Sequence, residues 1–542
     1  MKYQSLSGKY HIFIIISMAI TNFLFGAVLP SASTTEEFYK EIETTDGQTL
    51  YMDIENAEIE ISGENTDKIS VLLEVEISDL STENRKKFFE ETALILESYK
   101  SGYRVHLQLP DMKKGTSFFN RLFSGTDGVS YVAVFNISVP VRYNLDIENS
   151  FGNINIRELN GNLVVNNSSG EINVLASKGE LVLSNTFAPA TVRDFEGNVT
   201  VSSSSAAINV NAVKGAVRIS STFDPIRVEN VEKDLTINAQ SCPVTVKKIG
   251  DKCFIQSSFN PIIVEDVSAP LIIDGQSCPV DVRNTASDVE IKSTFDKVVV
   301  ERIQGNLTIN SASAELDIKY VGGKADLHTT FNPIRVHDIG ADLWINGESC
   351  SIEASLIAGN ATIESTFNPV KIKNIGKELT VNSSSASVDV YDVGKDAIIT
   401  TTFNPVIVDK VEGNLTIDNS SGKVTVTNIY GDINIENSFN PVNVKQSSGS
   451  VKIKSQSAPV TVTNFRSLKS EAVIDIVTSF GKIDLALPAN ADAAVQARTS
   501  FGGIESDYPV YMNSNIPIDV KPGQISVKLK TDSDIIVRKD AK

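Results

Sequence analysis

Residues 397–432 read AIITTTFNPVIVDKVEGNLTIDNSSGKVTVTNIYGD, and they hold one pattern twice at an interval of 18 residues. The first copy is anchored on Phe403 and the second on Ser421. Leu415 and Ile417 stand six and four residues before Ser421; Val424, Val426 and Ile429 stand three, five and eight after it. Polar residues such as Thr416 and Thr425 fall between them. Alternation of period two in residues rich in Val, Ile and Thr marks short strands with one buried face. The intervening Thr402-Phe403-Asn404-Pro405 and Tyr430-Gly431-Asp432 are corner chemistry: Gly reaches positive φ, Asn bonds its own backbone, and Pro fixes φ.

Outward from this stretch the pattern continues in both directions. Phe151, Phe187, Phe223, Phe259, Phe295, Phe331, Phe367, Phe403 and Phe439 are spaced by 36 residues, with Ser169, Ser205, Ser241, Ser277, Ser313, Ser349, Ser385, Ser421 and Ser457 midway between or after them. Two short strands per 18 residues, repeated without helices, predict an all-β fold: a right-handed parallel β-helix, or β-solenoid, capped at both ends. At a strand spacing of about 4.8 Å the regular array forms a rod of roughly 80 Å. A left-handed hexapeptide helix also uses 18 residues per turn but needs an inward residue every sixth position. Here the position six after the anchor is charged in Arg193, Glu229, Lys247, Glu265 and Arg283, and the general crossover preference favours the right-handed form. The alternation of Phe with Ser suggests a core ladder in which large side chains stack over small ones; Phe295→Ala would then cost about 3–5 kcal/mol.

Outside the array the register loosens. Residues 1–33 have the make-up of a secretory signal: Lys2 and Lys9, an apolar run from Ile12 to Leu29, then Pro30-Ser31-Ala32-Ser33. A retained membrane anchor is the alternative, as the run is close to bilayer-spanning length. Residues 34–140 read as an α+β cap leading into the solenoid. Leu50, Met52, Ile59 and Ile61 fit a first rung around Asn56, and Phe88, Phe89, Ala93 and Leu96 share one face of a predicted amphipathic helix. The regular solenoid occupies 141–465. Residues 466–542 hold degenerate rungs around Phe480, Phe501 and Ser533 and form the second cap.

Composition narrows function. With 41% hydrophobic residues among 542 the chain is not disordered, and 32 Gly and 18 Pro are too few for a collagen-like rod. A net charge of −18 argues against nucleic acid, whose affinity comes from Lys and Arg on phosphates. Four Cys form no disulfide framework. Cys242, Cys278 and Cys350 each follow a Ser anchor in a column otherwise filled by Gly or Ala, and Cys253 takes an inward position; all four read as small buried thiols. No Gly-Gly-x-Gly-x-Asp calcium turn occurs, no thiolate set has metal spacing, and no cofactor motif is present. Polysaccharide-cleaving β-helix enzymes gather carboxylates or basic groups in a groove built by long loops. The best polar cluster here is Arg335, His337 and Asp338 with Lys371 and Lys373, and it reads as a surface charge patch, so no catalytic residue is singled out.

On the outward positions Thr recurs too irregularly for an ice-binding array, and Phe254, Ile272 and Trp344 are the candidates for ligand contact. The basic and aromatic run Lys113 to Phe123 is a candidate for membrane or partner contact, with a hairpin loop of the cap as its plainer reading.

The runs Ser150-Phe151-Gly152-Asn153-Ile154, Ser420-Ser421-Gly422-Lys423-Val424 and Ser479-Phe480-Gly481-Lys482-Ile483 resemble the bacterial "putative adhesin" family. Ile137-Ser138-Val139-Pro140, Leu487-Pro488 and Ser500-Phe501-Gly502-Gly503-Ile504 extend the resemblance, which covers residue 37 onward. It implies an exported β-solenoid and carries no catalytic residues; the long uninterrupted array is a departure from it. The expected roles are a non-enzymatic scaffold meeting a carbohydrate or surface-protein ligand, a structural or self-assembling envelope rod, and, third, a carbohydrate-active enzyme. No transmembrane segment is expected after the signal, nor a C-terminal membrane barrel. The expected location is periplasm, cell surface or medium.

Overall fold

A computed structural model describes residues 33–78, 81–110, 130–512 and 520–540. Residues 1–32, which are all but the last residue of the segment expected to be a signal, and the run Lys113 to Phe123 lie outside the described residues. The chain winds into a β-solenoid in which each rung gives one strand to each of two parallel sheets. Leu415–Asn419 lies between Ala397–Thr401 and Ile433–Asn437 in one sheet. Val424–Ile429 lies between Val406–Val411 and Val442–Ser447 in the other. The register is always 18 residues, from Leu145↔Leu163 to Val442↔Val460. The inward columns of Leu, Ile and Val are buried along the whole length.

The odd spacing of three, five and eight after the anchor has a local cause. The residue seven after the anchor adopts a left-handed conformation in rung after rung, as in Asn230, Lys248, Tyr320, Leu356 and Asn428 (φ 56, 57, 59, 58 and 60°). The ladder skips it: Val426 pairs Val444, Thr427 pairs Lys445, and Ile429 then pairs Ser447. Two successive residues thus face outward, the chain bends, and the eighth position returns to the core. Asn and Asp tolerate this conformation through short local hydrogen bonds, yet Ala, Leu, Arg and Tyr hold it too.

The phenylalanine ladder is not in the core. Eight of the rings, Phe187 to Phe439, are 60–73% exposed, and Phe151 is half-buried. The inward residue at this corner stands two before the anchor, and several of the Asn, Ser and Thr side chains there bond the corner backbone, while the hydroxyls of Ser221, Ser293 and Ser365 are buried without a hydrogen-bond partner among the described residues. Thr329 and Thr401 donate to the carbonyls of Ala314 and Ala386 at 2.9 Å, and Asn167 to those of Gly152 and Gly170 at 2.9 and 3.0 Å. Alternation therefore breaks between that residue and the next inward one. In Ser rungs the residue after the anchor turns in, while in Phe rungs the equivalent Asn, Asp or Ala stays half or fully exposed. The two-rung period reflects this change of corner, with the anchor outside in both kinds of rung.

In Ser rungs the two inward corner residues share one space. Asn167 goes with Gly170, Ser311 with Ala314, Ser383 with Ala386, Ala239 with Cys242, Gly275 with Cys278 and Gly347 with Cys350. The larger the first, the smaller the second. A Cβ on Gly275 would lie 3.4 Å from that of Cys278, and one on Gly347 3.2 Å from that of Cys350. Close packing at constant volume explains the composition of both columns.

At the N-terminal side the first rung, Thr49–Asn56 and Glu58–Glu64, stacks on the array with Asn56 opposite Phe151 and Ile59 opposite Ile154. Antiparallel strands Thr34–Glu43 and Lys68–Ser78 continue one sheet beyond it through Ser130–Pro140. The helix is shorter than expected. It spans Thr82–Glu91, capped by Ser81, and buries Phe88 and Phe89. Ala93 and Leu96 belong instead to a strand, Ala93–Tyr99, paired antiparallel to Gly102–Gln108; Thr92, extended at the helix end, switches the conformation.

At the other side the rungs do not stack in chain order. Val473–Val477 continues the array, Ile525–Thr531 lies on it, and Ala493–Thr499 lies on that. Among the described residues no helix is long and apolar enough to cross a membrane.

Candidate functional surfaces

Outward side chains form columns along the rod, so a surface site is assembled by rung-to-rung register. Phe254 and Ile272 are paired neighbours in one column, flanked by Thr236 and Glu290. They border a shallow hollow of about 240 Å³ with Arg218, Asp234 and Lys252. Trp344 belongs to the same column but stands four rungs beyond Ile272, past Glu290, Thr308 and Asp326, a separation of about 19 Å. The three candidates share a face, and only the first two share a site.

The charged patch is laid out on the other sheet. Arg335 reaches Glu315 at 2.7 Å, and Lys371 lies 3.8 Å from Glu353. His337 meets Ser355 at 2.9 Å through Nδ1 and packs edge-on to Tyr320. His337, Ser355 and Lys373 follow one another in register, and Asp338 occupies the left-handed corner. Arg335 and Lys371 each face a carboxylate, the ordinary arrangement of a solvated face. Partial burial pushes the Glu315 carboxyl up, and Lys297 and Arg335 together outweigh that push and hold it below its ordinary value. Elsewhere charges also pair across neighbouring rungs, as in Lys247–Glu265 and Lys454–Glu436, both 3.0 Å. A shallow trough of about 660 Å³ follows the left-handed corner past Asp194, Lys214, Lys248 and Asp266, lined by mixed charges.

The four cysteines are free and buried. Burial pushes the Cys253 thiol up to about 12 and those of Cys278 and Cys350 to about 11, the opposite of what a nucleophile or metal ligand needs.

The phenylalanine column, expected inside, is an exposed apolar edge two rungs, or about 9.6 Å, in pitch. Asn332, Asn404 and Asn440, each following a ring, donate their amides to the carbonyls of Ser313, Ser385 and Ser421. These amide donors are already engaged within the rod.

No family model and no curated protein matches the chain. One solved structure, a putative cell adhesion protein from Clostridium sporogenes, is similar at 11% identity over 45% of this chain and 100% of its own, with a TM-score of 0.18. The likeness to the adhesin family therefore rests on the short motifs quoted above.

Proposed function

We propose that the chain is an exported, non-enzymatic scaffold that binds an extended partner, a carbohydrate or a surface protein, in the manner of an adhesin. The observation that supports this reading is the register itself. An uninterrupted 18-residue step from Leu145 to Val460 presents each outward column at one fixed pitch, which suits a partner that is itself repetitive. Such a rod gains affinity by engaging many weak sites at once.

The test is to incubate the purified chain with immobilised polysaccharides and matrix proteins, measuring retention and release of reducing ends together. Retention without cleavage, weakened by Phe254→Ala and Ile272→Ala, is the expected result. Release of new sugar ends would replace this reading with the enzymatic one and direct mutation to Arg335 and His337. No retention on any surface would remove the adhesin reading.

A further inference from the structure

The outward rings carry an inference that goes beyond ligand binding. We propose that two copies of the chain pair edge to edge along the phenylalanine column, antiparallel, each ring entering the gap that a Ser rung leaves in the other. Exposed apolar area on this scale marks an interaction surface. The rings from Phe187 to Phe439 are 60–73% exposed, and at about 150–250 Å² per aromatic side chain they leave roughly 1,000 Å² free per copy. Covering most of that on two copies reaches the roughly 1,200–2,000 Å² of a stable interface.

The pitch fits a second set of the same rings. Successive Phe side chains stand about 9.6 Å apart. A ring from the partner placed midway lies about 4.8 Å from each neighbour, inside the range of roughly 4.5–7 Å preferred by aromatic pairs. Symmetry fixes the direction. A twofold axis along the rod would set Phe opposite Phe at equal height, where the rings collide. A twofold axis across the rod can pass between a Phe rung and a Ser rung, and every Phe then faces a Ser. That contact is isologous and closes at two copies.

The hydrogen bonding at the column favours an apolar occupant over a polar ligand, and the local charge permits a second copy. In a chain of net charge −18 two copies repel, and Asp224 and Asp296 follow Phe223 and Phe295, the latter with Lys297 beside it; the Phe rungs from Phe367 to Phe439, by contrast, carry only Thr, Ser, Asn and Pro around each ring. The amides of Asn332, Asn368, Asn404 and Asn440 are already donated to the preceding rung.

Sedimentation of the purified chain at micromolar concentration tests the proposal, with a variant carrying Phe295→Ser, Phe331→Ser, Phe367→Ser and Phe403→Ser. Each substitution installs the residue that fills the same column one rung away, so the fold is retained, to be checked by circular dichroism and the urea midpoint. The expected result is a dimer that the fourfold variant weakens by about a thousandfold or more, since central aromatic anchors dominate interface energy. Phe254→Ser with Trp344→Ser, on the sheet face, leaves it intact. A wild-type chain that is monomeric throughout, or a variant that dimerises as tightly, overturns the proposal. Polysaccharide retention is read on the same samples. If the monomeric variant still binds, pairing and ligand binding are separate properties; if a monomeric wild-type binds through the rings, the column belongs to the ligand and the pairing is refuted.

Discussion

Cys278→Ala, Gly275→Ser and their combination probe whether the two inward corner residues of a Ser rung share a single volume. Cys278 is fully buried, and removing its sulfur sacrifices apolar burial and leaves a small cavity, at a cost of about 1–2 kcal/mol. A Cβ at residue 275 meets the Cys278 Cβ and Ile262 Cδ1 at 3.4 Å and Val280 Cγ2 at 3.6 Å. The Cβ alone makes ordinary contact, but the hydroxyl beyond it has to displace the thiol. Gly275→Ser alone is therefore expected to cost about 1–3 kcal/mol by overpacking. The double substitution recreates the arrangement two rungs on, where Ser311 Oγ accepts from the Ala314 N–H at 3.0 Å. Its net loss should stay below about 1 kcal/mol, a favourable coupling of order 1–3 kcal/mol. Stacked repeats need not unfold in one step, so urea denaturation is paired with amide hydrogen exchange of Leu271–Gln276 and Val280–Thr285. Additive losses in both measurements would show that the two positions do not share space and would refute the explanation of the cysteines.

Leu356→Gly should stabilise by about 0.5 kcal/mol, because relief of the left-handed conformation outweighs the greater entropy of Gly when unfolded; φ is 58° there and the side chain is 42% exposed, and urea midpoints decide the sign. Thr401→Val should cost about 1–2 kcal/mol through loss of the buried 2.9 Å bond to the Ala386 carbonyl, whereas Phe403→Ser should change the monomer's stability by less than about 0.5 kcal/mol. A thiol reagent should label none of the four cysteines in the native protein and all four in urea. The thiols ionise from 9.0 upward when unfolded and only near 11 to 12 for Cys253, Cys278 and Cys350 when folded. Their contribution to stability is thus present below pH 9.0 and lost as pH rises toward 11, which a series of alkaline melts measures.

The rod was legible because its interior is linear. Leu415, Ile417, Val424 and Val426 repeat at one spacing, and periodicity maps directly onto register when each rung touches only its neighbours. The anchor was misread because the inward phase slips at that point. Counting forward from Leu415 and Ile417 places position 421 inside; counting back from Val426 and Val424 places Gly422 inside. Only one can be true of a chain turning a corner, and the turn residues Thr402-Phe403-Asn404-Pro405 held the hint that the anchor was outside. Phe254 and Ile272 were recoverable as neighbours because they are 18 residues apart, while Trp344 is four such steps from Ile272. The stacking order beyond Val477 left no trace in the spacing, since Ile525–Thr531 is separated from Val473–Val477 by intervening strands of the chain and no longer by a constant step.

That order carries a consequence for assembly. As the chain is synthesised, each turn up to Val473–Leu487 can settle on a finished ledge beneath it. Ala493–Thr499 emerges before its native ledge exists: its parallel partners are Ile525–Thr531 and Val510–Met512, both of which follow it. Its native pairing waits until the later segment has slid into place against Val473–Val477. Cutting away residues 520–540 would therefore take a floor out of the building and leave the roof unsupported. The strand Val473–Val477 would be left with an unsatisfied row of amides and carbonyls, the kind of open margin on which foreign strands grow.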